Sequence, residues 1–215
     1  MSAIRRMMMG KRGSVLPNGY TEVEYLETEG NAYINLGNSF PVTVNPASTT
    51  LWKAIIGFSD VNVSNNRRFI AAYSNASRLH YCELTVNNVF GCFLGTNSAS
   101  QTTPVLSANK MYNITMTITP TQISSTVIVN GETVSQSETN AQGSDTSAFY
   151  LFRLGAVYKG VGQRVGRNKL YYNNELKCDL IPCRDSNNVG YMYDRISGQL
   201  FSNAGNGDFI LGNDI

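Results

Sequence analysis

Histidine is almost absent from this 215-residue chain, with His80 the single imidazole. Serine-histidine-aspartate and cysteine-histidine mechanisms built away from that residue are therefore excluded. His80 sits within LHYCE at 79–83, where a lone strand histidine reads as a structural residue rather than a base or ligand. Charge is scarce too, at 15% of residues, and tryptophan occurs once. No stretch reaches the roughly 18 apolar residues of a membrane span. In the opening MSAIRRMMMGKRG the apolar part is only Met7, Met8 and Met9, too short for a secretory signal, so synthesis in a bacterial cytoplasm is expected. The sequons at Asn62, Asn75 and Asn113 then carry no weight, because that tripeptide arises by chance in asparagine-rich sequences. The four cysteines, Cys82, Cys92, Cys178 and Cys183, match no zinc spacing and read as free and mostly buried. Cys178 and Cys183 fall on opposite faces of an extended segment. An Asn87-Asn88 turn pairing Val86 with Val89 would set Cys82 opposite Phe93, again separating two sulfurs. Solenoid-type repeats and helical periodicity are also missing.

What the chain holds in excess is asparagine (24), serine (20) and threonine (17), together more than a quarter of the residues. Asn and Ser divert the backbone into local hydrogen bonds, and Thr fits a pleated surface, so the composition favours turns and strands. From residue 20 onward short apolar runs alternate with polar positions. Such runs include AYINL at 32–36, LWKAIIGF at 51–58, RFIAAY at 68–73, LHYCELTV at 79–86 and VFGCFL at 89–94. MYNITMTIT at 111–119, ISSTVIV at 123–129, FYLFRLGAV at 149–157, KLYY at 169–172 and ELKCDLI at 175–181 continue the pattern. Asn130-Gly131 and Asn173-Asn174 suit tight left-handed hairpin turns. Polar stretches at 96–109 and 135–147 read as loops. About a dozen strands at this spacing predict an antiparallel all-β sandwich or barrel.

The formal charge of +2 averages two unlike parts. Arg5, Arg6, Lys11 and Arg12 make the first sixteen residues basic, and the remainder holds 13 basic against 15 acidic residues. Several constellations invite a chemical reading. EVEYLE at 22–27 resembles the three-acid strand of retaining jelly-roll glycosidases, whose chemistry needs carboxylates about 5 Å apart. Glu22 and Glu24 share a strand face and Glu27 does not, and Glu24 replaces the motif's central aspartate, so a charged, exposed strand edge is the preferred reading. Asp185, Asp194 and Asp208 read as turn formers rather than calcium ligands, since no oxygen-ligand spacing joins them. GVGQRVG at 160–166 lacks the ending of a phosphate loop. The basic stretch Arg153, Lys159, Arg164, Arg167 and Lys169 around it suits a solvated loop or a contact with a neighbouring chain rather than nucleic acid. Tyr171 and Tyr172 put rings on opposite strand faces, one of them outward.

Both ends carry a resemblance. LPNGYTEVEYLETEGNAYINLG at 16–37 resembles the opening of concanavalin A-like, laminin-G-like jelly-roll domains of gut-bacterial phage and prophage virion proteins. KLYYNNELKCDLIPCRDSNNVGYMYDRISGQLFSNAGNGDFILG at 169–212 is similar to their closing block. The resemblance implies a two-sheet antiparallel jelly roll over 17–215, preceded by a short non-globular arm over 1–16. It also implies a first strand beside the last, Tyr33, Ile34 and Leu36 against Phe209, Ile210 and Leu211, and suits Gly198, Gly205 and Gly207 to turns of positive φ. No catalytic residue, metal or cofactor carries over.

These features point to a non-enzymatic virion structural protein, a head fibre or capsid decoration protein at the virion surface. The arm would attach it to other virion proteins through Arg5, Arg6, Lys11 and Arg12, with Met7, Met8 and Met9 filling a groove. A homo-oligomer is expected, and nucleic-acid and membrane partners are not. The alternative is a tail-associated or bacterial-surface carbohydrate-binding module, and a distant third is a glycoside hydrolase using Glu22, Glu24 and Glu27.

Overall fold

The computed structural model of the chain describes residues 16–37, 43–44, 48–59, 67–74, 78–85, 87, 89–94, 97–119, 121–139, 145–146, 148–154, 158–159 and 162–215. Arg5, Arg6, Met7, Met8, Met9, Lys11 and Arg12 lie outside the described residues. In chain order the strands are β1 (Thr21–Glu22), β2 (Leu26–Thr28), β3 (Ile34–Gly37), β4 (Thr43–Val44), β5 (Thr50–Phe58), β6 (Arg67–Ser74) and β7 (Arg78–Leu84). Then come β8 (Val89–Leu94), β9 (Asn97–Val105), β10 (Met111–Ile118), β11 (Gln122–Val129), β12 (Glu132–Thr139), β13 (Asp145–Thr146) and β14 (Ala148–Leu151). The last are β15 (Arg153–Leu154), β16 (Tyr158–Lys159), β17 (Gln163–Tyr172), β18 (Glu175–Arg184), β19 (Gly190–Asp194), β20 (Leu200–Phe201) and β21 (Phe209–Leu211).

The larger antiparallel sheet runs β12-β11-β10-β5-β17-β18-β19-β20, with β1 against β18 and β2 between β17 and β21. The second sheet runs β3-β14-β6-β7-β8-β9, and β4-β13 and β15-β16 are short ladders. Alternation along the strands explains the sandwich. Trp52, Ala54 and Ile56 of β5, with Ile114, Met116 and Ile118 of β10, turn one face into a shared core. Contacts across the layers include Cys82 Sγ at 3.2 Å from Met116 Sδ and the buried Arg67 guanidinium 4.7 Å from the Phe58 ring. Trp52 Nε1 donates to Asn168 Oδ1 at 3.4 Å.

A second, smaller cluster lies on the outer face of the large sheet, where Leu16 packs on Ile181 and Cys183 beside Tyr20 and Tyr191. The two tyrosine rings meet edge to face at 5.5 Å. Cys178 belongs to the main core and Cys183 to this outer cluster, the opposite faces expected from their spacing. Burial pushes the Cys183 thiol up to about 12 and also raises that of Cys178, so neither is a ready nucleophile. Cys82 is likewise a buried thiol.

Several expectations need correction. The hairpin between β7 and β8 closes through three residues rather than two: Thr85 N donates to Val89 O at 2.9 Å, and Val89 N reaches Thr85 Oγ1 at 3.3 Å. The register therefore sets Cys82 opposite Cys92, not Phe93. The stretches read as loops at 96–109 and 135–147 contain the edge strand β9 and the second half of the edge strand β12. Edge strands tolerate polar side chains, and Pro104 in β9 suits an edge because it donates no ladder hydrogen bond. FYLFRLGAV does not run as one strand, because Phe152 adopts φ 67° and separates β14 from β15. The final strand β21 pairs with β2, Leu26 opposite Leu211 and Thr28 opposite Phe209, rather than with 33–36. The chain turns at Gly30 (φ 60°) and sends β3 into the other sheet, against β14.

Gly205 is needed for space and not for positive φ. A Cβ there would stand 2.0 Å from the Asn31 carbonyl oxygen and 2.7 Å from Tyr33 Cδ1. Because a backbone atom is the obstacle, Gly205→Ala is expected to cost about 2–3 kcal/mol. An unfolding midpoint equal to the parent's would refute that close approach.

Candidate functional site

The outer face of the large sheet is built by register. Thr126 lies opposite Thr115, Thr115 opposite Lys53, Lys53 opposite Lys169, and Lys169 opposite Asp179. This transverse row crosses five strands, because directly opposed residues of antiparallel strands share a face. On the β17 side, an irregularity between Val165 and Asn168 resets the alternation. Asn168 consequently turns inward toward Trp52, and Arg167 turns outward with half its side chain exposed. Gly166 sits at that shift, where a Cβ would lie 3.0 Å from the Glu24 carbonyl oxygen.

Between β10, β5 and β17 the face carries an open depression of about 290 Å³. Its cationic lining is Lys53, Arg167 and Lys169, with Asn113 and Thr115 as polar neighbours and Ile55 and Ile128 as apolar walls. Arg167 is fixed by a forked ion pair with Glu22, Nη2 to Oε2 at 2.6 Å, and this carboxylate raises the arginine pKa further. Lys169 Nζ lies 3.8 Å from Asp179 Oδ2, an oxygen that Arg195 also engages. Lys53 Nζ stands 5.8 Å from the Tyr171 ring centre. Tyr171 is therefore the outward ring of the pair, while Tyr172 packs on the main core.

The residues singled out from sequence take up separate tasks. Glu27 is nearly buried and accepts from Arg164 Nε at 2.6 Å, and that guanidinium also covers the Tyr25 ring at 4.7 Å. Glu22 pairs with Arg167, and Glu24 accepts from Asn213 Nδ2 at 3.1 Å. Each glutamate thus has its own partner from another segment. Arg164, Arg167 and Lys169 belong to strand β17, so the solvated-loop reading of this basic stretch yields to a strand that starts at Gln163. The side chains of Arg153, Lys159, His80 and Cys92 lie outside the described residues.

Asp185 and Asp194 form turns. Asp185 Oδ1 accepts from Asn187 N and Val189 N, and fully buried Asp194 gathers four donors. Asp208 lends its carbonyl to Glu29 N. Among the described residues no group of three or more His, Cys, Asp or Glu side chains is arranged to hold a metal ion. The sequence reading overlooked Lys53, Asn113 and Thr115. The available signal was Lys53 itself, the lone charge in the mostly apolar TLWKAIIGF of β5.

No protein-family model and no curated protein sequence matches the chain. Among solved structures, the fold is similar to the CBM40 module of the Ruminococcus gnavus IT-sialidase, solved with α2,3-sialyllactose bound. The TM-score is 0.50 at 14% identity, covering 76% of this chain and 94% of the module. It also resembles part of the enzymatically active domain of bacteriophage CBA120 tailspike protein 2, with TM-score 0.47, 15% identity, and coverage of 71% and 28%. Trypanosoma rangeli sialidase matches at TM-score 0.44 and 18% identity, over 61% of this chain and 21% of the sialidase. The chain thus spans about a fifth of the sialidases it resembles. At such identities the likeness is one of fold, and the fold is an all-β sandwich of two antiparallel sheets.

Proposed function

We propose that the chain is a non-enzymatic structural protein of a bacteriophage particle, a head fibre or capsid decoration protein held by its N-terminal arm. The observation that carries this reading is how the two recognisable end blocks close on each other. From the first block β1 pairs with β18 and β2 with β21, both supplied by the second block. The chain preceding this unit therefore starts from a fixed point at Leu16, buried on the outer face of β18. A cationic arm leaving a rigid domain suits attachment to an acidic surface of another virion protein. The separate partners of Glu22, Glu24 and Glu27 support a non-enzymatic role. Deleting residues 1–13 is expected to abolish incorporation into particles while leaving the melting temperature of the domain unchanged. Particles that still carry the shortened protein would overturn the anchor.

A second reading, a surface carbohydrate-binding module, is favoured by the depression on the outer face, where polar and apolar side chains converge on one open hollow. The CBM40 module solved with sialyllactose has the same type of sandwich. The two readings are compatible, since a displayed domain can also bind host glycans. Binding of any glycan from an array supports the second one, and silence across the array removes it.

A further inference from the structure

We propose that the depression between β10, β5 and β17 binds a sugar bearing an acidic group, with Lys53 and Lys169 as the anion clamp. This rests on the carbohydrate-binding reading and adds the chemical class of the ligand.

Like charges directly opposed across antiparallel strands are destabilising, and Lys53 and Lys169 are such a pair. Local patterning that breaks a folding rule without compensation marks a site selected for something other than stability. Compensation here is incomplete. Among the described residues Lys169 has the Asp179 oxygen as its ion-pair partner, 3.8 Å away and already engaged by Arg195. Lys53 has a tyrosine ring at 5.8 Å, and among the described residues no carboxylate lies within ion-pair distance of its ammonium. Two lysines directly opposed on one face can each offer an ammonium group to the two oxygens of a carboxylate, or to two of a sulfate. Arg167 adds a third positive charge at the rim. Its Nε and Nη2 are held by Glu22, which fixes the guanidinium in place.

The remaining lining suits a sugar better than a free anion. Ile55 and Ile128 offer an apolar wall for the C–H face of a ring, and Asn113 and Thr115 offer hydrogen-bond partners for hydroxyls. The hollow of about 290 Å³ is at the small end of ligand pockets, about 300 Å³ upward, which fits one ring of a longer chain. Among the described residues three cations and no carboxylate line it, so an acidic sugar gains a charge attraction that a neutral one lacks.

The test is calorimetric titration of the full chain with galacturonate, hyaluronan and sialyllactose oligosaccharides, sulfated maltotriose and unmodified maltotriose. Charged sugars are expected to bind, more weakly as salt rises. Carboxylated and sulfated probes separate the two possible acidic groups. Lys53→Gln and Lys169→Gln should each weaken binding about tenfold, and the double variant should abolish it. Lys53→Arg should retain it. Lys53→Gln should melt no lower than the parent, because it relieves a like-charge pair, and this separates lost binding from lost folding. Equal affinity for unmodified maltotriose, or unchanged binding by the double variant, would overturn the acidic clamp while leaving carbohydrate binding intact. No binding to any of the sugars would remove both.

Discussion

A chain ending at residue 207 is expected to be insoluble or unfolded, because the last eight residues close the sandwich. β21 supplies one of the two neighbours of β2, and Phe209 packs against Phe152 at 5.5 Å with 8% of its surface exposed. Beyond the ladder, Glu24 N donates to Asn213 O, Gly212 N to Tyr25 O, and Ile215 N to Glu22 O, so the whole N-terminal strand segment leans on this tail. Losing a buried phenylalanine costs about 3–5 kcal/mol. Each lost backbone hydrogen bond adds about 1 kcal/mol, and fully buried Val23 and Leu26 would be uncovered as well. The total reaches the about 5–15 kcal/mol by which whole domains are stable. Recovery of a monodisperse truncated protein with an unchanged far-ultraviolet spectrum would contradict this topology. The tail also carries a pH dependence: Arg184 hydrogen bonds to Asp214 and holds its carboxyl below the ordinary range. Because the folded carboxyl takes up its proton less readily than the unfolded one, this contribution is present at neutral pH and fades on acidification.

The same segment marks how far local sequence reaches. The hairpin turns at Asn130-Gly131 and Asn173-Asn174 were legible, whereas the Asn87-Asn88 turn was read one residue short. Asn130 and Gly131 have φ of 53° and 86°, and Asn173 and Asn174 have 49° and 65°, the left-handed values their residue types predict. The alternation that fills the core with Trp52, Ile114 and Val127 was legible for the same reason. Which strand receives β21 was not, since Leu26–Thr28 and Ile34–Gly37 are both short segments with buried aliphatic residues and the turn at Gly30 decides between them. β9 and β12 were hidden because edge strands need no apolar alternation. The lysine pair is the strongest case of this kind. Lys53 and Lys169 are neighbours only because β5 and β17, far apart in the chain, pair in one particular register.

Replacing Asp194 is expected to be the most damaging single polar substitution outside the core. Its side chain is fully buried at the end of β19, and both oxygens are saturated. Oδ1 accepts from Asp179 N at 2.8 Å and Ile196 N at 3.1 Å, while Oδ2 accepts from Ser197 N at 3.1 Å and Ser197 Oγ at 2.7 Å. The carboxylate therefore ties β18 to the turn that carries β19 into β20. Asp194→Ala leaves the buried Asp179 N without this acceptor and removes three part-buried bonds from Ile196 and Ser197, each worth about 1–3 kcal/mol, for a loss of about 3–5 kcal/mol. Asp194→Asn keeps one oxygen for Asp179 N and Ile196 N, and its amide nitrogen can donate to the Ser197 hydroxyl, so about 2 kcal/mol is expected. Asp185 provides the contrast, since its oxygen also caps a turn, accepting from Asn187 N and Val189 N, but where water can replace it. Asp185→Ala should cost about 1 kcal/mol or less. Urea unfolding should rank the midpoints parent, Asp185→Ala, Asp194→Asn and Asp194→Ala, from high to low. An Asp194→Ala midpoint level with that of Asp185→Ala would mean that the turn, rather than the buried carboxylate, holds β19 and β20 in place.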